Sequence, residues 1–293
     1  MTEKTIGFLG FGEAASLIAE GLAGEGATGI TAFDTRSRPE VKGVTMADSL
    51  EDLLDQSDIV FAAVTSAVAL TVAKEAAPFL NERHLYVDIN SVSPETKIAV
   101  GKIIAGTGAG FVEASVMAAV PGKGHKVPML LSGEAAPDLI NVMVPLGMVM
   151  EDFGPELGRA AATKMLRSVM IKGMEALFQE CVLATERYGV SKPVMESIAD
   201  GYPGIDWDKL ASYLIGRTAL HGERRAHEME EVAATLKSIG IEPLMAGAAA
   251  KRLHWAADQG LQEKFGGTAP ESYREVAAVL LAALEKSGNN NNE

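Results

Sequence analysis

The chain has 293 residues and a single cysteine, Cys181. No disulfide can form within it, which excludes a disulfide-stapled secreted scaffold and favours a reducing compartment. Cys181 lies in an apolar helical stretch with no histidine beside it, so it reads as an inert buried thiol rather than a nucleophile. Basic residues are also scarce, 26 Lys and Arg against 39 Asp and Glu, for a net charge of −13. Nucleic acids and anionic membrane surfaces are bound through basic patches, so neither is an expected partner, and the acidity is read as serving solubility. No stretch of about 18 residues is apolar and free of charge, and no basic segment precedes an apolar run at the start. A soluble, cytoplasmic protein is expected, without a membrane span and without a metal site.

What the chain does have is ample apolar material, 47% of residues, with 22% charged. That suffices for real cores and excludes wholesale disorder. The first half alternates strand-like and helix-like segments. Strands are expected at residues 4–9, 29–33, 59–63, 85–88, 110–113, 128–132 and, more weakly patterned, 149–153. Helices are expected at 13–23, 50–54, 67–79, 94–105 and 134–145. This βα alternation predicts a parallel sheet of the doubly wound α/β class, with helices on both faces. Beyond Pro155 no strand is legible. A long helix over 155–188, apolar nearly all round, is followed by helices at 192–199, 207–213, 217–238, 243–258 and 271–286. The boundary is placed at Gly154-Pro155. The expected parts are a dinucleotide-type α/β domain at 1–154, an all-helical domain at 155–288 and a disordered tail at 289–293, low-complexity sequence beginning near Ser287.

The most informative segment is the first βα unit. An apolar strand enters Gly10-Phe11-Gly12-Glu13-Ala14-Ala15, a helix follows, and a second apolar strand ends on Asp34. This is the dinucleotide-binding fingerprint with its acidic partner at the right distance. Gly10 makes the tight turn, Gly12 lets a pyrophosphate approach the backbone, and Ala15 packs helix against strand. The helix start, with Phe11, Glu13 and Ala14, offers free N–H groups to phosphate. Asp34 is expected to accept from the adenosine ribose hydroxyls and to repel a 2′-phosphate, which favours NAD over NADP. Arg36 and Arg38, close behind, are the residues that could instead accommodate a phosphate.

Ligands of doubly wound sheets lie beyond the carboxyl ends of the strands. Val64-Thr65-Ser66 is therefore expected to flank the cofactor, with Ser66 also readable as a helix cap. In Asp88-Ile89-Asn90-Ser91-Val92-Ser93-Pro94, Asn90 and Ser91 reach the same edge and could hold the nicotinamide ribose or a substrate oxygen, while Ser93 caps the next helix. On the long helix, Lys164, Arg167, Ser168 and Ile171 share one face. Spacing alone leaves two readings of Lys164: a desolvated proton-transfer group, or a lysine extending its stem along an apolar surface, the more ordinary case. His125 and the pair Arg224-Arg225 are candidate anion binders, with a solvated surface charge the more ordinary reading of each.

The order of GFLGFG, then AEGL (residues 19–22), then DINSVSP, then a lysine on a long interdomain helix resembles the β-hydroxyacid dehydrogenase superfamily. The resemblance covers the whole chain and is looser in the second half. There, HGERRAHEMEEVAATLKSIGIEP is most similar to the subgroup with a phosphogluconate-dehydrogenase-like C-terminal region of unassigned function. It implies an NAD(P)-dependent dehydrogenase and a homodimer. It implies Lys164 as general acid/base on the substrate hydroxyl and Ser91 as a substrate contact. Two departures stand out. Ser168 replaces the family's Asn four residues after the lysine, and Met117-Ala118-Ala119 stands where the family has Ser-Gly-Gly to grip a carboxylate. Met117, Ala118 and Ser168 are thus the expected substrate contacts, with an altered carboxylate grip. Two other readings share the architecture: an imine reductase, which usually lacks the lysine, and a dinucleotide-binding protein without activity.

Overall fold

The computed structural model describes residues 4–289 and divides into two compact units, Met1–Lys164 and Met165–Glu293. The first is built on one sheet of eight strands: β1 (Ile6–Leu9), β2 (Ile30–Phe33), β3 (Val44–Met46), β4 (Ile59–Ala62), β5 (Leu85–Asp88), β6 (Gly110–Val116), β7 (Met129–Ser132) and β8 (Met150–Asp152). Their spatial order is β3-β2-β1-β4-β5-β6-β7-β8. The order reverses between β1 and β4, which is where a doubly wound sheet opens a crevice for ligands. The central strands read IGFL, IVFA and LYVD and are almost wholly buried, because helices cover both faces of the sheet. One core includes Phe8 stacked on Phe61 with ring centroids 5.4 Å apart, and the other gathers Leu53, Val60, Tyr86 and Ile104.

Five helices belong to this sheet: α1 (Glu13–Gly24), α2 (Leu50–Asp55), α3 (Ala69–Ala76), α4 (Pro94–Ala105) and α5 (Ala136–Met143). α4 starts as the sequence predicts, with Pro94 in its first turn and the Ser93 side chain accepting from the Thr96 amide at 3.3 Å. Three features depart from expectation. β3 is a short edge strand with a largely exposed sequence, VTM, which carries no alternation to betray it. β6 and β7 pair antiparallel, so the sheet is mostly rather than wholly parallel. Ser66 does not cap a helix through its side chain; it opens a single 3-10 turn preceded by Thr65, also without a side-chain cap.

The second unit is all-helical among the described residues. α6 (Arg159–Tyr188) runs into it from the first unit and is followed by α7 (Ser191–Gly201), α8 (Trp207–Ser238), α9 (Leu244–Ala257), α10 (Leu261–Lys264) and α11 (Tyr273–Asn289). The two helices expected at 207–213 and 217–238 form one element with a kink at His221 (φ −138°, ψ 23°). α10, four residues long, is too short to show periodicity. α11 continues through Asn289, so the low-complexity stretch from Ser287 and the first residue of the expected disordered tail, Asn289, are helical; residues 290–293 lie outside the described residues.

α6 corrects two further expectations. It begins at Arg159 rather than Pro155, because Gly158 holds a left-handed φ of +94° just before it. Nor is it apolar nearly all round. Lys172, Glu175 and Gln179 are buried, while Leu166, Met170 and Leu177 are exposed. The buried polar groups are paired with α8. Glu175 receives the Arg225 guanidinium, including two Nε contacts of 2.9 Å, and the Thr218 hydroxyl, which itself accepts from Gln179 at 2.9 Å.

The start of α6 also explains why the first unit ends at Lys164 rather than at Gly154. Glu113 on β6, fully buried, accepts from the Gly158 amide and, at 2.6 Å, from the Ala161 amide. Its carboxylate thereby caps the first turn of α6 and ties that turn to the sheet. Burial pushes the Glu113 carboxyl up, against these amides and Lys97, which favour its charged form. Glu113→Ala is expected to strand two buried amides and to cost roughly 2–4 kcal/mol. A urea melt followed by circular dichroism checks this; an unchanged midpoint would refute the cap as a stabilising element.

Candidate functional site

The turn from β1 into α1 is shaped by two glycines for different reasons. Gly10 has φ +87° and donates its amide to Phe33 O at 2.9 Å. A Cβ there would stand 2.6 Å from the Ala63 carbonyl oxygen, so no side chain fits. Gly12 is extended, with open space where a Cβ would be, and α1 starts with no side-chain cap on its amides. Glu13 and Ala14 are exposed at this helix start, while Ala15 is buried against the strand as expected. An uncapped helix N-terminus behind an open backbone approach suits a pyrophosphate, so the residues present fit the dinucleotide implied by the fingerprint.

Asp34 at the end of β2 is already engaged. Its Oδ2 accepts from the Phe11 amide at 2.8 Å and from Arg38 at 2.9 Å, and its Oδ1 accepts from the Arg36 amide at 2.9 Å. Burial alone would raise its pKa, but the two amides and Arg38 outweigh it and hold the carboxyl below its ordinary value. A carboxylate offers about four acceptor positions, so little remains for two ribose hydroxyls. Arg38 in turn keeps a buried Nε with no hydrogen-bond partner. Phe11 is buried, and its contribution to the site is this amide rather than its ring.

Beyond β4 and β5 the loops are braced by a chain of bonds. The Val64 amide donates to Asn90 Oδ1 at 2.6 Å, and the Asn90 amide donates to Asp88 Oδ1 at 2.9 Å. Asp88 pairs with Lys97 at 3.0 Å, and Lys97 also donates to the Asp88 carbonyl at 2.6 Å. Asn90 is buried, so its oxygen serves the Val64 turn; only its NH₂ remains for a ligand. Thr65, Ser66 and Ser91 are exposed at this edge of the sheet. The sequence reading missed Lys97 and Glu113, although a lysine in an apolar helix face and an acid at the end of an apolar strand were the available signals.

Past β6, the Met117 amide is bound to the Pro128 carbonyl at 2.9 Å, and Ala118 is exposed. Neither side chain carries a donor, and the Met117 N–H is committed, so side chains and this amide offer no grip on a carboxylate here. Lys164, half-buried, stands on α6 shortly after the turn held by Glu113. Ser168, four residues on in the second unit, accepts from Lys172 at 3.1 Å. Burial lowers the Lys172 pKa against its ion pair with Glu228 at 2.8 Å.

The anion-binder candidates resolve differently. His125 is buried, packed where a Cβ on Gly21 would otherwise be, with Nε2 3.4 Å from Glu25. Arg225 is buried on Glu175, and Arg224 is an exposed partner of Glu228 at 3.0 Å. The charges of both arginines are spent on this chain's own carboxylates. Cys181 is half-buried, and burial pushes its thiol up, which keeps it from ionising.

The model of the family described as NADP oxidoreductase, coenzyme F420-dependent, matches residues 5–91, and that of a domain of unknown function, DUF1932, matches residues 185–256. An uncharacterized 28.5 kDa protein of Methanothermus fervidus is 30% identical over 244 residues, 82% of this chain and 94% of that one. A conserved hypothetical protein from Sinorhizobium meliloti is 37% identical, with a TM-score of 0.81 over 96% of this chain and 97% of the other. A conserved protein of unknown function, described as structurally similar to 3-hydroxyacid dehydrogenases, is 32% identical, with a TM-score of 0.73 over 90% of this chain and all (100%) of that one. More distant structures share the fold: a Mycobacterium tuberculosis 3-hydroxyisobutyrate dehydrogenase (17% identical, TM-score 0.72, 96% of this chain and 99% of that one) and an Aspergillus terreus imine reductase (16%, 0.56, 89% and 95%). With its open dinucleotide cradle, its 3-2-1-4-5-6 strand order and a helical second unit of the DUF1932 kind, the chain belongs to the β-hydroxyacid dehydrogenase superfamily.

Proposed function

We propose that this chain is an NAD(P)-dependent oxidoreductase acting on a small hydroxylated compound, with Lys164 as its general acid/base. The observation that carries the reading is the open, uncapped start of α1 behind Gly12, a cradle for a pyrophosphate. The nicotinamide, when bound, supplies hydride acceptance at its ring; the protein supplies position and proton transfer. Glu13 and Ala14 amides hold the phosphates. Val64, Thr65, Ser66 and the Asn90 amide group border the remainder of the cofactor. Lys164 Nζ takes the proton of the substrate hydroxyl as the carbon loses hydride, and Ser91 orients that hydroxyl. The Met117-Ala118 loop supports a substrate gripped elsewhere than in the superfamily's usual carboxylate site. One cysteine and a net charge of −13 support a cytoplasmic setting; among the described residues no helix is long and apolar enough to cross a membrane.

Cofactor choice turns on Asp34, and here the geometry supports NADP over the NAD expected from the sequence. The Asp34 charge is compensated by Arg38 and two amides, so its repulsion of a 2′-phosphate is weakened. The orphaned Arg38 Nε is a donor looking for such an acceptor. NADPH is expected to bind more tightly than NADH in titration calorimetry, and Arg38→Ala is expected to erase about tenfold of that preference, roughly 1.4 kcal/mol. An NADPH preference in the variant as large as in the unsubstituted chain would remove Arg38 from the argument.

Lys164→Ala is expected to lower turnover on the true substrate by about 10²–10⁴-fold while leaving dinucleotide binding intact. Ser168→Ala, which removes a hydroxyl that accepts from Lys172, is expected to cost less. Near-normal turnover of Lys164→Ala on a hydroxy acid panel would overturn the assignment and favour the imine reductase reading.

The exposed side chains of Leu166, Met170 and Leu177 recur at helical spacing on α6 and support a homodimer that covers them. Light scattering at micromolar concentration is expected to give twice the chain mass of 30.8 kDa, and a monomer would contradict it.

A further inference from the structure

α8 and α9 pack closely in the second unit because their seam is made of small residues. A Cβ on Gly222 would stand 3.0 Å from the Ala257 Cβ, and Ala226, Ala249 and Ala250 are buried in the same core. On the more exposed side of these helices three metal-ligating side chains meet. His227 Nδ1 is 2.9 Å from Glu230 Oε2, and His254 Nε2 is 3.0 Å from Glu230 Oε1. The two imidazole rings stand edge to face with centroids 5.0 Å apart. One ligand atom from each residue lies within 4.8 Å of the others.

We propose that His227, Glu230 and His254 form a binding site for a divalent transition-metal ion such as Zn²⁺, which joins α8 to α9. No metal was expected from the sequence, because the third ligand comes from a different helix. Two imidazoles and a carboxylate are a donor set that transition metals take, whereas Mg²⁺ and Ca²⁺ require oxygen cages. Bonds of about 2.0–2.2 Å in tetrahedral geometry separate the donors by roughly 3.4 Å. The present spacings of 2.9 and 3.0 Å need open only by fractions of an ångström, and the two ring nitrogens need close by a modest side-chain rotation. Three protein donors leave a fourth position for water, and His227, 60% exposed, leaves the ion reachable from solvent.

To bind through Nδ1, His227 must give up the proton that Nδ1 now shares with Glu230 and carry one on Nε2. That nitrogen lies 4.0 Å from Glu223 Oε1, one turn earlier on α8, which a small movement would make an outer carboxylate to the ligating ring. All three ligands fall within residues 185–256, the stretch matched by the domain of unknown function.

The test is titration calorimetry of the full, tag-free chain with ZnCl₂ and with MgCl₂, alongside thermal melts. Zn²⁺ is expected to bind one per chain at micromolar or tighter affinity and to raise the melting temperature, and Mg²⁺ to do neither. His227→Gln and His254→Gln are each expected to weaken Zn²⁺ binding by at least about tenfold without moving the metal-free melting temperature, and Glu223→Gln to weaken it less. Cys181→Ser is expected to bind as the unsubstituted chain does. Absence of Zn²⁺ binding at micromolar concentration, or unchanged binding in both histidine variants, overturns the proposal; so does loss of binding in Cys181→Ser.

Discussion

The first unit is organised around two buried carboxylates that sit side by side. Asp88, the last residue of β5, and Glu113, midway along β6, pair in direct register, and both are fully buried. Two such charges could not share a dry sheet interior unaided. Lys97 compensates one, at 3.0 Å from Asp88, and the amides at the start of α6 compensate the other. The long helix that carries Lys164 therefore begins where the sheet needs positive charge. Its placement follows from the electrostatics of Glu113 within β6 as much as from apolar packing.

The same carboxylate pair reaches outward into the loops of the candidate site. Asp88 holds the Asn90 amide, Asn90 holds the Val64 amide, and the turn beyond β4 is set beside the Gly10 turn. The loops at the switch point are thus braced before any ligand arrives, which lowers the ordering cost of binding. Asp34 plays a comparable role on the other side. Its bond to the Phe11 amide ties the end of β2 to the glycine turn, so the acid that defines the fingerprint is also a structural brace.

In the second unit, charge is handled differently. Arg225 lies flat against Glu175 with Thr218 and Gln179 completing the network, all buried between α6 and α8. Such a network contributes little net stability over an apolar core, but removing one partner strands the other, so it specifies how the two helices meet. The seam between α8 and α9 uses the opposite device: small residues bring backbones close, and polar side chains meet at its edge.

Much of this was legible from residue order alone. The fingerprint around Gly10 and Gly12, the alternating strands and helices, the Ser93-Pro94 cap and the all-helical second half follow from local periodicity and turn chemistry, and these are properties of neighbouring residues. Tertiary structure decided what depends on residues far apart in the chain. The antiparallel β6–β7 pair, the edge strand β3 and the start of α6 depend on partners that no local pattern names. So does the state of each charged group. Asp34 is engaged by Phe11 and Arg38, His125 is buried beside Gly21, and Arg225 is spent on Glu175, because the fold brings a partner from 4 to 104 positions away. Residue type shows which groups can hold a proton or a phosphate, whereas only the folded chain shows which of them already have a partner.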